Sequence, residues 1–177
     1  MTPATRDLHP LEGCDPQNCT KQMGVIGPWH ERLPHFRMEF TPSAGEELQS
    51  EYFVPREHAM RAFDALQPLR SRIAELIQVT EIRTIAPDNL WMSPCYQQPC
   101  VAFHFTWKKN WDGVRALLPA IEAAVLPFNA RPHWGKLFTM SAKQIRASYP
   151  KLSEFHELLR DFDPRGKFRN AYLERLF

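Results

Sequence analysis

Glu81 and Arg83 stand two residues apart in Leu76–Ile85, a run in which Leu76, Gln78, Thr80, Ile82 and Thr84 alternate with Ile77, Val79, Glu81, Arg83 and Ile85. On a strand that spacing sends both side chains to one face. His104 and Thr106 repeat the relation in Cys100–Trp107, opposite Val101, Phe103, Phe105 and Trp107. A third group lies in Ala130–Phe138, where Arg131, His133, Trp134 and Lys136 surround Pro132 and Gly135. Pro132 removes an amide donor and fixes a backbone angle. Gly135 is expected to allow a conformation or a close approach that a Cβ would forbid. If a simple hairpin makes the first two runs neighbours and Lys136 ends a third strand, one face displays a carboxylate, a guanidinium, an imidazole, a hydroxyl and an ammonium. That set suits a small polyhydroxylated ligand, because each hydroxyl taken from water must regain its hydrogen bonds. Each residue alone has a plainer explanation. An exposed Glu81–Arg83 pair contributes only about 0–1 kcal/mol, His104 could be a packed imidazole, and Thr106 a strand former. Their convergence is what points to a site.

The elements that must position these residues follow from periodicity. Leu48–Val54 reads as a strand stopped by Pro55, and Arg56–Leu66 carries Ala59, Met60, Phe63 and Leu66 at helical spacing. Trp111–Leu126 is an amphipathic helix with Val114, Leu117, Leu118, Ile121 and Val125 inward, followed by the basic strand at Arg131. The order strand, helix, strand, strand, helix, strand predicts an α+β fold, the split βαβ antiparallel sheet of ferredoxin-like proteins. Helices would cover one face and leave the other open. Further on, Ser141–Ala147 and Leu152–Phe162 read as helices with Ser141 and Ser153 as caps. Asp163–Gly166 is a turn, and Lys167–Phe177 is an aromatic-rich tail that could bring Asn170 and Tyr172 to the same face. Met1–Arg37 shows neither period, and Trp29, Leu33 and Phe36 could anchor it to a surface. So long an irregular lead-in is unusual inside a complete domain. Residues 1–37 are therefore expected to run across a neighbouring domain, and 38–177 to form the ligand-binding domain.

Composition narrows the class. With 177 residues, 44% of them hydrophobic, the chain can bury a core and is not disordered. A net charge of +2 gives no reason to expect a nucleic-acid or membrane surface. No apolar run is long enough for a signal or a membrane span, which suits a cytoplasmic protein. Cys14/Cys19 and Cys95/Cys100 each have four residues between them, at the edge of structural zinc spacing. Unpaired thiols in a reducing compartment are the favoured reading, with no metal.

Several separated motifs, in one order, resemble a known family. Gly27-Pro-Trp-His-Glu-Arg-Leu-Pro-His-Phe-Arg, Glu81-Ile-Arg-Thr-Ile-Ala, Leu90-Trp-Met-Ser-Pro and His104-Phe-Thr-Trp are similar to stretches of alditol (xylitol) oxidases. Arg131-Pro-His-Trp-Gly-Lys and Asp163-Pro-Arg-Gly-Lys-Phe-Arg-Asn-Ala-Tyr-Leu resemble the C-terminal signature of aldonolactone-oxidase-type flavoproteins, within the vanillyl-alcohol oxidase superfamily. The resemblance implies the substrate-binding cap of an FAD-dependent oxidase that converts a terminal alcohol of a sugar alcohol with O2, giving H2O2. It also implies that FAD sits mainly in an N-terminal domain, often covalently attached, to which nothing here is similar, so this chain alone would be inactive. Residue by residue, it implies Glu81, Arg83 and Thr106 as ligands to the polyol, and Arg83 near the reacting end. Lys136 would lie between substrate and flavin, with His104 and His133 beside the cofactor or supporting that lysine. Asn170 is a further cofactor-side candidate. An aldonolactone oxidase or dehydrogenase, and a non-enzymatic sugar- or zinc-binding module, are the alternatives.

Overall fold

Alternation decides what the two central strands do. In the computed structural model, which describes residues 5–9, 15–32 and 47–176, Leu48–Pro55 forms β1 and Cys100–Trp107 forms β3. They pair antiparallel with Glu51 opposite His104 and Tyr52 opposite Phe103. Tyr52 and Val54 from β1, and Val101, Phe103, Phe105 and Trp107 from β3, enter one large apolar core. Ile77–Ile85 (β2) adds to the far side of β3, and the two-residue Arg131–Pro132 (β4) to the far side of β1. The sheet order is β2-β3-β1-β4, with every pairing antiparallel. This is the expected ferredoxin-like arrangement.

Helices cover one face. Ala59–Leu66 (α1), Arg70–Leu76 (α2) and Trp111–Val125 (α3) follow β1, α1 and β3. From α3, Val114, Leu117, Leu118, Ile121 and Val125 are buried, each contributing about 1.5–3 kcal/mol of hydrophobic stabilisation. Asn110 caps α3 by accepting a hydrogen bond from the Gly113 amide at 3.0 Å. The helical region after β1 is longer than the apolar spacing predicts, because 3-10 turns at Arg56–His58 and Gln67–Leu69 join α1 and α2 to their neighbours. Three further helices, Ala142–Ser148 (α4), Leu152–Phe162 (α5) and Ala171–Leu176 (α6), close the end of the core with Ile145, Leu152 and Leu176. Ser141 and Gln144 form a capping box on α4. Ser153 lies inside α5, whose N-cap position is Lys151, so the expected Ser153 cap is corrected by two residues. Gly166 turns the chain at φ +65°, the left-handed region open to glycine, while the Asp163 carboxylate accepts from the Lys167 and Phe168 amides.

Two strand expectations change. A β-bulge between Ile77 and Val79 leaves Gln78 as the extra residue, so Ile77 pairs with Trp107 and packs on the helix side, not with Val79, Glu81 and Arg83. The basic segment is a strand only at Arg131–Pro132. It then turns through His133–Lys136 and rejoins β1 where the Leu137 amide donates to the Gln49 carbonyl at 2.8 Å. Residues 33–46 lie outside the described residues, and with them the expected boundary at 37/38 and the anchors Leu33 and Phe36. Trp29, the third anchor, is 76% exposed.

Candidate functional site

The face of the sheet away from the helices has two halves. Toward the Pro55 end, Phe53, Cys95, Cys100 and Ala102 form a small second core with Ile85 against it. The β2–β3 connection, residues 86–99, covers this half. It is pinned there by the Arg131 guanidinium, which donates to the Pro94 carbonyl at 3.0 Å, and by the Trp134 indole, which donates to the Met92 carbonyl at 3.0 Å. The expectation of a wholly open face therefore holds for only one half. Toward the Leu48 end the same face carries Gln49 and Glu51 from β1, Glu81 and Arg83 from β2, and His104 and Thr106 from β3.

A residue that sequence reasoning missed sits at the centre. Glu51 is 3% exposed. Its Oε1 accepts from Arg83 Nη1 at 3.0 Å and its Oε2 from Lys136 Nζ at 2.6 Å. The guanidinium starts on β2, where Arg83 is opposite Ala102, and reaches across β3 to β1. Ala102 puts only a methyl in its way. Arg83 Nη2 also pairs with Glu81 Oε2. Lys136 arrives from the turn after β4. The His133 amide donates to the Glu51 carbonyl at 2.9 Å, and the Lys136 amide closes the turn on the His133 carbonyl at 3.1 Å. Gly135 is not needed for close packing, since an added Cβ would meet only the His133 ring at 3.5 Å, ordinary contact.

His104 lies 5% exposed between the two carboxylate strands. Its Nδ1 is 3.2 Å from Glu81 Oε2 and 3.3 Å from Arg83 Nη2, and its Nε2 is 3.3 Å from Gln49 Oε1. Burial, with Lys136 and Arg83 opposing Glu51, pushes its pKa down to about 4. The ring is neutral at pH 7, with one donor and one acceptor nitrogen. His133 is also held below the usual imidazole value, by burial and by Lys136, with Glu51 acting the other way. It stacks on Phe53 with centroids 6.1 Å apart and accepts from the Gly135 amide at Nδ1, 3.0 Å. Thr106 is buried opposite Gln49. With the imidazoles neutral, Glu51 and Glu81 balance Arg83 and Lys136. The exposed part is the rim: side-chain exposure is 42% for Arg83, 18% for Glu81 and 17% for Lys136. Such a surface offers charged acceptors and charged donors together to an uncharged, hydroxyl-bearing ligand.

The structure thus gathers Glu81, Arg83, His104, Thr106, His133 and Lys136, and adds Glu51 and Gln49. The signal for Glu51 was available. It is a carboxylate in the apolar run Tyr-Phe-Val of β1, on the opposite phase from Tyr52 and Val54. Asn170 is not brought to the cluster. Its Oδ1 accepts from the Leu173 amide at 2.9 Å and caps α6. Tyr172 docks the tail by donating its hydroxyl to the Trp134 carbonyl at 2.7 Å. A cleft of about 540 Å³ between α5 and the C-terminal segment, lined by Ser153, His156, Arg160, Asp163, Phe168 and Arg169 among others, shares no residue with the cluster. Cys14 lies outside the described residues. Cys19, Cys95 and Cys100 are buried thiols, and among the described residues no group of His, Cys, Asp or Glu is placed to hold a metal ion. No helix among them is long and apolar enough to cross a membrane.

Comparison with known proteins fits this geometry. Residues 43–176 match the family profile of D-arabinono-1,4-lactone oxidase. The chain belongs to this family. It is 52% identical over 174 residues to an alditol oxidase of a Streptomyces species, a match covering 98% of this chain and 42% of that protein. It is 26% identical over 132 residues to the L-gulonolactone oxidase of Mus musculus, covering 72% of this chain and 30% of that protein. An L-gulono-1,4-lactone dehydrogenase of Mycobacterium tuberculosis is 29% identical over 131 residues, with the same coverage. The chain spans less than half the length of these relatives.

Proposed function

We propose that this chain is the substrate-binding part of an FAD-dependent oxidase acting on a terminal hydroxyl of a sugar alcohol such as xylitol or sorbitol, RCH2OH + O2 → RCHO + H2O2. The observation that carries the reading is the charge-balanced rim of Glu81, Arg83 and Lys136 over buried Glu51 and His104. The 52% identity to an alditol oxidase favours an open-chain polyol over a lactone. Glu81 accepts hydrogen bonds from ligand hydroxyls, and Arg83 donates to ligand oxygens near the reacting end. Thr106 adds a hydroxyl contact. Lys136 presents an ammonium at the rim, and the neutral rings of His104 and His133 lie behind it.

FAD, when bound, supplies the hydride acceptor and the path of electrons to O2. The cationic heads of Arg83 and Lys136 at the exposed rim fit a ring system that takes on negative charge when reduced. The larger part of the FAD site, covalent attachment included, is assigned to an N-terminal domain, across which residues 1–37 would run.

Turnover of the complete enzyme, followed as H2O2 release, tests the reading. Xylitol or sorbitol should outperform sugar 1,4-lactones. Turnover of lactones alone would favour the second reading, an aldonolactone oxidase or dehydrogenase, which the family match and the lactone-oxidising relatives support. Absence of any oxidation, with polyol binding to the chain retained, would favour a sugar-binding module.

A further inference from the structure

We infer that Glu51 is the positioning residue of this site: its buried carboxylate fixes the separation of Arg83 and Lys136 and cancels enough of their charge to make the rim select uncharged polyols over the corresponding anions. The inference rests on the polyol reading above. Three observations carry it.

Glu51 comes from the central strand, whereas Arg83 comes from the edge strand β2 and Lys136 from the turn beyond β4. One side chain therefore ties together two groups that approach from opposite edges of the sheet. Both carboxylate oxygens are committed, Oε1 to Arg83 at 3.0 Å and Oε2 to Lys136 at 2.6 Å, and the side chain is only 4% exposed. It is too deep and too fully used to be a ligand contact, yet both of its partners reach the rim. Finally, the balance is exact only with Glu51 present. Two carboxylates face two cations beside neutral imidazoles, so removing one negative charge leaves the rim at a net +1. A buried carboxylate with two cations is costly to desolvate. Stability alone gives a weak reason to build one at the middle of a sheet.

Glu51→Gln keeps the shape and removes the charge. Losing one partner of a buried pair can unfold a protein, but here the stranded cations are at the rim and can turn to water. In the complete enzyme we expect kcat/KM for xylitol to fall at least ~30-fold, as Arg83 and Lys136 lose their fixed separation. Inhibition by D-xylonate, an anion of the same length, should tighten at least ~5-fold as the rim gains net positive charge. Glu51→Asp retains the charge but is one methylene too short to hold both cations. It should lose turnover by about fivefold or more while keeping the wild-type ratio of xylonate to xylitol affinity within about threefold.

A readout independent of substrate is the His133 titration in the full 177-residue chain, followed by NMR. Glu51 raises that pKa, while burial, Lys136 and Arg83 lower it. Glu51→Gln should therefore move the midpoint further down, by about half a unit or more. A merely structural role would loosen and hydrate the ring and move it up toward the ordinary value.

Xylonate inhibition that weakens in parallel with xylitol, or a His133 midpoint that rises, would overturn the inference. So would Glu51→Asp with wild-type turnover, which decides the matter if the Gln variant does not fold. Wild-type enzyme that ignores alditols would count against the polyol reading instead, and the His133 titration would still judge Glu51.

Discussion

Glu51 and Glu122 are both buried, on opposite sides of one sheet, and they do different things. Glu122, on α3, is 4% exposed. It accepts only from neutral donors: the Tyr52 hydroxyl at 2.9 Å, the Thr139 amide at 2.6 Å and the Thr139 hydroxyl at 2.5 Å. Burial, together with the Glu122 charge, holds the Tyr52 hydroxyl well above the phenol range, so it remains a donor. Glu122 ties a helix, the central strand and the segment after Lys136 into one core. Glu51, of similar burial, is instead matched with two cations whose heads reach solvent. Burial of a charge does not by itself mark a site. The partners do: neutral donors turned inward mean architecture, and cations turned outward mean a surface prepared for something else.

This contrast can be broken by substitution. The largest functional effect is expected on the Glu51 side, at its partner Lys136. Lys136→Ala in the complete enzyme should lower turnover with xylitol by about 10²–10³-fold, the size of losing one donor aimed at developing charge, and should also lower the thermal midpoint, because the buried Glu51 Oε2 loses its cation. Unchanged turnover would remove Lys136 from the chemistry. On the other side, Glu122→Ala should cost about 2–4 kcal/mol in denaturant unfolding, since the Tyr52 and Thr139 donors are left without acceptors. The fraction that remains folded should bind polyols normally. Next, Arg83→Lys exchanges a forked donor for a point charge and gives up one of its two carboxylates. It should raise KM for xylitol by about tenfold, with kcat less affected.

The smallest effect is in the pH profile of stability. His104 is held near pKa 4 when folded, against 6.5 unfolded. Between those values the unfolded chain binds the extra proton. Stability is therefore complete above about pH 6.5 and declines as pH falls toward 4, by on the order of 2–3 kcal/mol. In His104→Gln that part of the decline should disappear from urea melts taken between pH 7 and 4.5.

Much of this was legible from residues alone, because alternation along β3 sorts its aromatic side chains from its polar ones. Cys100–Trp107 separates Phe103 and Phe105 from His104 and Thr106 without exception. The family motifs then singled out Glu81, Arg83 and Lys136, which do converge. The misses have physical causes. A bulge at Ile77/Val79 is a register event in the pairing with β3, and no single-strand pattern displays it. Lys136 sits on a turn because Pro132 and the His133 ring end the ladder after two residues. Glu51 was overlooked because one carboxylate among Tyr52, Phe53 and Val54 looks like strand polarity until its two partners arrive from distant segments.

A structure of the complete enzyme with an alditol bound would test the account most directly. We expect the ligand's hydroxyls within hydrogen-bond distance of Glu81, Arg83 and Lys136, with Glu51 still joining the two cations beneath. An alditol seated elsewhere, such as the cleft between α5 and the C-terminal segment, with that rim untouched, would contradict it.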